Sequence, residues 1–261
     1  MLYFPQLASG ATGQYPIRKR RSVRTVLNDC LDGRSVKWAD PAGPVTEWEL
    51  HFAELSDGEV ETLETFFLNV EGSLGSFTFL DPVGNLLCWS EDFSQPAWTK
   101  DPLLGIMGGG LDAWGGRTAY RLQNGTGANL RIQQTLEAPA SYCYTLSLYA
   151  RSDQPASLAL LRDTGTLVVP VTTSWRRLVF SGDSQSAAET IAFGLQLAPG
   201  TTVDVCGIQV EPQPGASPYK RSDADGGVYA DARLAADSLE ITTEGPNRHG
   251  CVLRILHAEH S

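Results

Sequence analysis

The strongest constraint on this chain is a shortage of strands at one end and a surplus of one hairpin at the other. From Val45 to Ala53 the sequence VTEWELHFA alternates, with Trp48, Leu50 and Phe52 on one face and Glu47, Glu49 and His51 on the other. That is the pattern of a half-buried antiparallel strand. Ser56-Asp57-Gly58-Glu59 follows with the S-x-x-E spacing of a capping box, and Val60, Leu63, Phe66, Phe67 and Val70 recur at helical spacing, predicting a helix over about 57–70. SFTF (76–79) adds a short strand closed by Asp81-Pro82. Strand, helix and strand have too few apolar strands to close a core. Near the C-terminus, Leu239 and Ile241, a turn at Glu244-Gly245-Pro246-Asn247, and then Cys251, Leu253 and Ile255 predict a hairpin, which is marginal in water until it joins a sheet. Returning that hairpin to the N-terminal module satisfies both. One domain is then predicted from 1–86 with 223–261, and 87–222 becomes an insertion whose seam lies in FTFLDPVGNLLCWSEDF (77–93).

The insertion has a different texture. Between about 117 and 210 there are six or seven short alternating runs, among them Tyr142/Tyr144/Leu146/Leu148 and Ile191/Phe193/Leu195/Leu197, separated by turn-rich pieces such as QNGTGAN and LAPGTT. Short strands, frequent turns and no helical period predict a β-sandwich or jelly roll. The block closes with IQVEPQPGASPYKRSD, where three prolines within seven residues exclude a central strand. Gly108-Gly109-Gly110, with Gly115-Gly116 nearby, reads as a flexible loop. The predicted fold class is mainly β: a β-sandwich domain with one helix, interrupted by an inserted jelly-roll sandwich.

Function classes are bounded mostly by exclusion. A formal net charge of -10 argues against a nucleic-acid binder as a whole. The local exception is Arg18, Lys19, Arg20, Arg21 and Arg24, read as a basic turn that either faces solvent or an interface, or contacts an acidic partner or a passing nucleic acid. No run of about 18 apolar residues is present, so no membrane insertion is predicted, and the N-terminus lacks the pattern of a secretory signal, which suggests synthesis in the cytoplasm. Five widely spaced cysteines read as buried free thiols. His51, His249, His257 and His260 lack zinc-ligand spacing, and the aspartates of DADG (223–226) open like a calcium loop but reach Leu234 where such a loop needs glutamate. No nucleophile elbow, Walker A loop or strand-linked dinucleotide motif occurs. The carboxylate pairs Glu91/Asp92 and Asp223/Asp225 could serve a glycosidase only at a separation that sequence does not state. The expectation is no catalytic residue, no metal and no cofactor. The aromatics of the middle block, Trp89, Phe93, Trp98, Trp114, Tyr142, Tyr144, Tyr149 and Trp175, either fill the core and brace loops or, at Trp98 or Trp114, offer a flat platform to a sugar ring.

The order YFPQLASG, basic turn, DGR (32–34), WELHF strand, LSDGEVETLETFF helix and EGSLGSFTFLDP resembles the distal tail protein family of long-tailed phages and gene transfer agents, to which lambda-like minor tail protein M is related. DSLEITTEGPNRHGCVLRIL is similar to that family's closing hairpin. NLLCWSEDFSQPAWTK and IQVEPQPGASPYKRS are similar to the opening and closing of carbohydrate-binding-like jelly rolls. The resemblance implies a structural virion protein at the distal tail, not an enzyme. Its partners would be copies of itself in a ring, most simply a hexamer, the tail tube and hub proteins, DNA passing transiently through the lumen, and a host-surface glycan met by the outward jelly roll. The competing expectation is a carbohydrate-binding accessory module or glycosidase unrelated to a tail.

Overall fold

A computed structural model describes residues 1–39 and 43–259, so His260 lies outside the described residues. In chain order the first elements are β1 (Arg18–Ser22), β2 (Thr25–Asp29), β3 (Ser35–Ala39), β4 (Val45–Leu55), α1 (Asp57–Asn69) and β5 (Phe77–Leu80). The middle of the chain supplies β6 (Thr99–Lys100), β7 (Gly105–Gly110), β8 (Ala119–Gln123), β9 (Leu130–Leu136) and β10 (Tyr144–Arg151). It continues with β11 (Ala156–Arg162), β12 (Gly165–Val171), β13 (Arg176–Gly182), β14 (Ile191–Leu197) and β15 (Thr202–Glu211). The last strands are β16 (Val228–Leu234), β17 (Ile241–Gly245) and β18 (Arg248–Ala258). The fold is mainly β with one helix.

The chain divides into two compact units: unit one is Met1–Ala8, Gly13–Phe79 and Tyr229–Ser261, and unit two is Ser9–Thr12 and Leu80–Val228. In unit one the main sheet runs β1-β4-β18-β16-β5, with β17 hairpinned onto β18, and β2 and β3 form a separate two-stranded sheet. The alternation of β4 is realised: Trp48, Leu50 and Phe52 are buried, and Leu253 and Ile255 of β18 pair with Leu50 and Trp48. Helix α1 starts where Ser56 Oγ accepts from Glu59 N at 3.3 Å and Glu59 Oε2 accepts from Ser56 N at 2.9 Å, the reciprocal capping that the S-x-x-E spacing predicts. Its Phe66 meets Phe4 and Phe77 edge-on, at 5.2 and 4.9 Å between ring centroids.

The basic segment is not a turn. Arg18–Ser22 form β1, an edge strand whose residues face Glu49, Trp48, Glu47, Thr46 and Val45 in register. A strand without apolar alternation forms here because carboxylates meet it: β4 offers Glu49 to Arg18 at 3.1 Å and Glu47 to Arg20 at 2.5 Å, and Glu259, just past β18, meets Arg21. Arg254 from β18 also reaches Glu49, at 3.1 Å. Lys19 sits over the Trp48 ring, 5.1 Å from its centroid, and Arg24 lies in the link from β1 to β2. Three of the arginines are thus neutralised within their own sheet, which leaves less free positive charge for a polyphosphate.

Unit two is a two-sheet sandwich, with strand orders β13-β10-β15-β8-β7 and β12-β11-β14-β9-β6. Leu146 and Leu148 of β10 and Val203 and Val205 of β15 share one buried cluster with Leu160 of β11 and Phe193 and Leu195 of β14. The Gly108–Gly110 run, predicted as a loop, completes edge strand β7, where glycine lets the backbone pass Tyr120; a Cβ on Gly108 would lie 2.9 Å from that ring. Eight strands, β8 to β15, occupy the region where six or seven runs are legible. The first and last segments of the unit are hydrogen-bonded together: Asp81 N to Gly227 O and Gly227 N to Asn85 O, both 2.8 Å, then Trp89 N to Asp223 O at 2.7 Å. Among the described residues the five cysteines are free, but only Cys206 and Cys251 are buried, which pushes their thiols up to about 11; Cys88 and Cys143 are half-buried and Cys30, next to the turn of the β2–β3 pair, is exposed.

Candidate functional site

The outer face of the sheet β13-β10-β15-β8-β7 carries the most chemistry in unit two. Register aligns Met107, Arg121, Asp204 and Arg151 across four strands. Arg121 forks onto Asp204 through Nε at 2.7 Å and Nη2 at 3.1 Å, and its Nη2 also reaches Asp153 at 3.0 Å. Arg151 Nε donates to Asp204 Oδ2, the oxygen that Arg121 Nη2 also reaches, at 3.2 Å, and its guanidinium lies 4.9 Å from the Trp175 ring centroid. Burial acts to raise the Asp204 carboxyl, but the two arginines outweigh it and hold the group below the usual range. Beside this pair opens a cleft of about 360 Å³, walled by Ser152–Ala156 and Pro199–Thr202.

The next row along the same face pairs Cys206, Tyr149 and Arg177. A bulge follows at Gly207, with φ +60°. A Cβ there would stand 2.7 Å from the Trp114 ring, so glycine is what allows that indole to lie over β15. Trp114 stacks on Tyr219 (5.4 Å, 16°) and meets Tyr149 edge-on (5.0 Å, 67°), yet remains 53% exposed. Its loop is built by Asp112, which accepts from Trp114 N and Gly116 N at 2.8 Å and from Thr118 Oγ1 at 2.9 Å. The segment after β15 covers the rest of the face. Ser217 O accepts from Arg177, Lys220 N donates to Gln209, and the fully buried Glu211 takes Lys220 Nζ at 3.3 Å. The prolines that exclude this segment from a strand leave it free to fold back and hold Tyr219 under Trp114.

The two candidate sugar platforms therefore part company. Trp98 is 3% exposed, its Nε1 donates to Trp89 O at 3.0 Å and its ring packs edge-on against Phe93 at 4.8 Å. It is a core residue, because a buried indole settles where its N–H finds a carbonyl. Trp114 presents an open indole next to Arg/Asp pairs. Tyr149, Trp175, Arg121, Arg151 and Asp204 join it only through the sheet register, which residue types at separations of tens of positions do not announce. Among the described residues no group of three or more His, Cys, Asp or Glu could hold a metal ion, and no helix is long and apolar enough to cross a membrane.

Asp112 makes the platform sensitive to acid. Burial acts to raise its carboxyl, but the hydrogen bonds from Trp114, Thr118 and Gly116 outweigh it and hold it low. A depressed folded-state value means that its contribution is complete above the unfolded-state value of about 4 and is lost as pH falls below that. Acidification through that range is expected to release the 112–118 loop, seen as a change in indole fluorescence that Trp114→Phe removes and that Asp112→Asn no longer ties to this pH window.

No family model matches the chain, and no curated protein matches it. Among solved structures the chain is similar to the enzymatically active domain of bacteriophage CBA120 tailspike protein 4, at 15% identity and a TM-score of 0.39, over 51% of this chain and 22% of that one. It is also similar to the CBM22-1 xylan-binding domain of Paenibacillus barcinonensis Xyn10C, at 14% identity and a TM-score of 0.40, over 52% of this chain and 99% of that one. A third similarity is to TmCBM61, solved with beta-1,4-galactotriose, at 14% identity and a TM-score of 0.39, over 48% and 97% of the two chains.

Proposed function

We propose that this chain is a non-enzymatic structural protein of a phage-like distal tail, in which unit one assembles into a ring between tail tube and tip and unit two displays a glycan-binding face. The glycan assignment is carried by Trp114, an exposed indole held rigid by Tyr149, Tyr219 and the Asp112 loop. A flat apolar ring flanked by fixed charged hydrogen-bonding groups suits a sugar, whose faces are apolar and whose rim is hydroxyl. The carboxylates here favour binding over hydrolysis. Asp204 and Asp112 are both held ionised, whereas a glycosidase needs one carboxyl raised to act as an acid. The tail assignment is supported by the resemblance of residues 1–86 and 223–261, most of which make up unit one.

A glycan array probed with the whole chain tests the binding half. Trp114→Ala is expected to weaken any glycan bound by wild type by about 2 kcal/mol, with the fold retained and the unfolding temperature lowered only by the lost contacts to Tyr149 and Tyr219. Binding by wild type that survives this substitution would move the site elsewhere, and hydrolysis of an array sugar that depends on one carboxylate would overturn the non-enzymatic assignment. Electron microscopy of tail preparations tests the ring. An accessory module would bind the same sugars and be absent from those particles.

A further inference from the structure

The two rows of side chains beside Trp114 carry three arginines, Arg121, Arg151 and Arg177, and one aspartate, Asp204. Asp204 lies beneath its partners: its side chain is 9% exposed, against 43% for Arg121 and 32% for Arg151. A molecule approaching these rows therefore meets guanidinium before the Asp204 carboxylate. Three other acids close to the rows are bound elsewhere. The exposed Asp153 accepts from Arg121 at 3.0 Å, Asp112 accepts from its own loop, and Glu91 pairs with Arg221 at 3.6 Å.

The arginines differ in how fully they are occupied. Arg121 uses Nε and Nη2 on Asp204 and Asp153, which fills one planar edge of its guanidinium. Arg151 gives only Nε, to Asp204, and among the described residues its two terminal nitrogens make no hydrogen bond. Its orientation is nevertheless fixed, by Asp204 at one end and by the half-buried Trp175 ring, 4.9 Å from the guanidinium. A held guanidinium with both Nη groups open is the fork that matches the two oxygens of a carboxylate. Tyr149 links this arginine to the platform. It stands two residues before Arg151 on the same face of β10, about 7 Å along the strand, and meets the Trp114 ring edge-on at 5.0 Å.

We infer that the glycan read by this face is acidic: a uronic or sialic acid unit lies on Trp114, or next to the unit that does, and its carboxylate takes the open Nη groups of Arg151. Arg177, 5.8 Å from the Tyr149 ring, adds a third positive charge on the same side. The net charge of -10 on the chain does not prevent this, because at physiological salt charges more than about 8 Å away are largely screened. A neutral sugar would offer the fork single hydroxyls in place of a planar pair of anionic oxygens, and charge-assisted bidentate bonds are the stronger kind. The inference rests on the glycan reading proposed above and names the chemistry of its ligand.

The test is an array that prints uronate- and sialate-bearing glycans, each beside its own methyl ester, together with neutral and sulfated glycans, probed with the whole chain. The acid forms are expected to be held about tenfold or more tighter than their esters, the scale of one hydrogen-bonded charge. Arg151→Gln is expected to bring the acids down to the level of the esters. Arg151→Lys, which keeps the charge and the Asp204 contact but not the planar fork, is expected to retain part of the preference. Melting curves of both variants, with Arg121 still on Asp204, separate loss of the fork from loss of the fold. Neutral glycans or esters held as tightly as the acids, in a manner lost in Trp114→Ala, would overturn the acidic assignment and leave the glycan reading standing. An acid preference unchanged by Arg151→Gln, or sulfated glycans held tighter than every carboxylate, would overturn the role given to the Arg151 fork. A chain that retains no glycan of any class would overturn both readings.

Discussion

Trp48→Ala is expected to destabilise unit one by about 3–5 kcal/mol, the range for emptying a large aromatic from a packed core. Trp48 is fully buried and sits at the crossing of every element of the sheet that matters. Its ring meets Phe79 of β5 edge-on at 5.1 Å and Tyr229 of β16 at 4.7 Å, pairs in register with Ile255 of β18, and lies beneath Lys19 of β1. Deleting it therefore removes contacts to segments that enter the chain more than 200 residues apart in number, such as Lys19 and Ile255. The measurement is calorimetry, with the transition of unit one told from that of unit two by comparison with Leu160→Ala, which lies in the core of unit two. A shift of both transitions by Trp48→Ala, or of neither, would contradict a core that belongs to unit one. Typical domains retain only about 5–15 kcal/mol in total. The substitution should consequently remove a large share of the stability of unit one and lower its unfolding temperature.

How much of this was legible depends on whether a residue's neighbours in sequence are also its neighbours in space. The capping box Ser56–Glu59 and the alternation of Trp48, Leu50 and Phe52 are local patterns, and both form as the spacing implies. Strand β1 is opaque because its residues are charged throughout, and what makes them a strand is the row of glutamates on β4 about 30 positions later. Strand β7 is opaque because glycine shows no alternation. The β2–β3 pair had a signal in Asp32-Gly33 between VLN and SVKW, an Asp-Gly turn flanked by apolar residues. Trp98 and Trp114 look alike in sequence, each in a turn-rich piece. The carbonyl of Trp89 claims one for the core, and a glycine bulge in β15, more than ninety positions on, props the other open. The face around Trp114 is an array assembled by register, and register is the part of a sandwich that composition does not encode.

Asn85→Ala should be the costliest polar substitution in unit two, because one buried side chain there completes four backbone groups. Its Nδ2 donates to Ile208 O at 2.9 Å and Lys220 O at 3.2 Å, and its Oδ1 accepts from Val210 N at 3.1 Å and Leu87 N at 3.2 Å. These bonds tie the first residues of the unit to β15 and to the segment that carries Tyr219. Alanine would leave two amides and two carbonyls without that partner in a site too tight to be flooded, since Asn85 itself is 4% exposed. Each unsatisfied buried group costs about 1–3 kcal/mol, so a loss of at least about 3 kcal/mol is expected in denaturant titration. Asn85→Asp separates donor from acceptor. Aspartate keeps both acceptor bonds but turns a carboxylate oxygen toward the Ile208 and Lys220 carbonyls, which raises its folded-state value above that of an unfolded aspartate. The penalty relative to wild type is then largest above that raised value and shrinks as pH falls and a proton restores one donor. A penalty that stays flat with pH would mean that the donor half of the network, to the Ile208 and Lys220 carbonyls, contributes nothing.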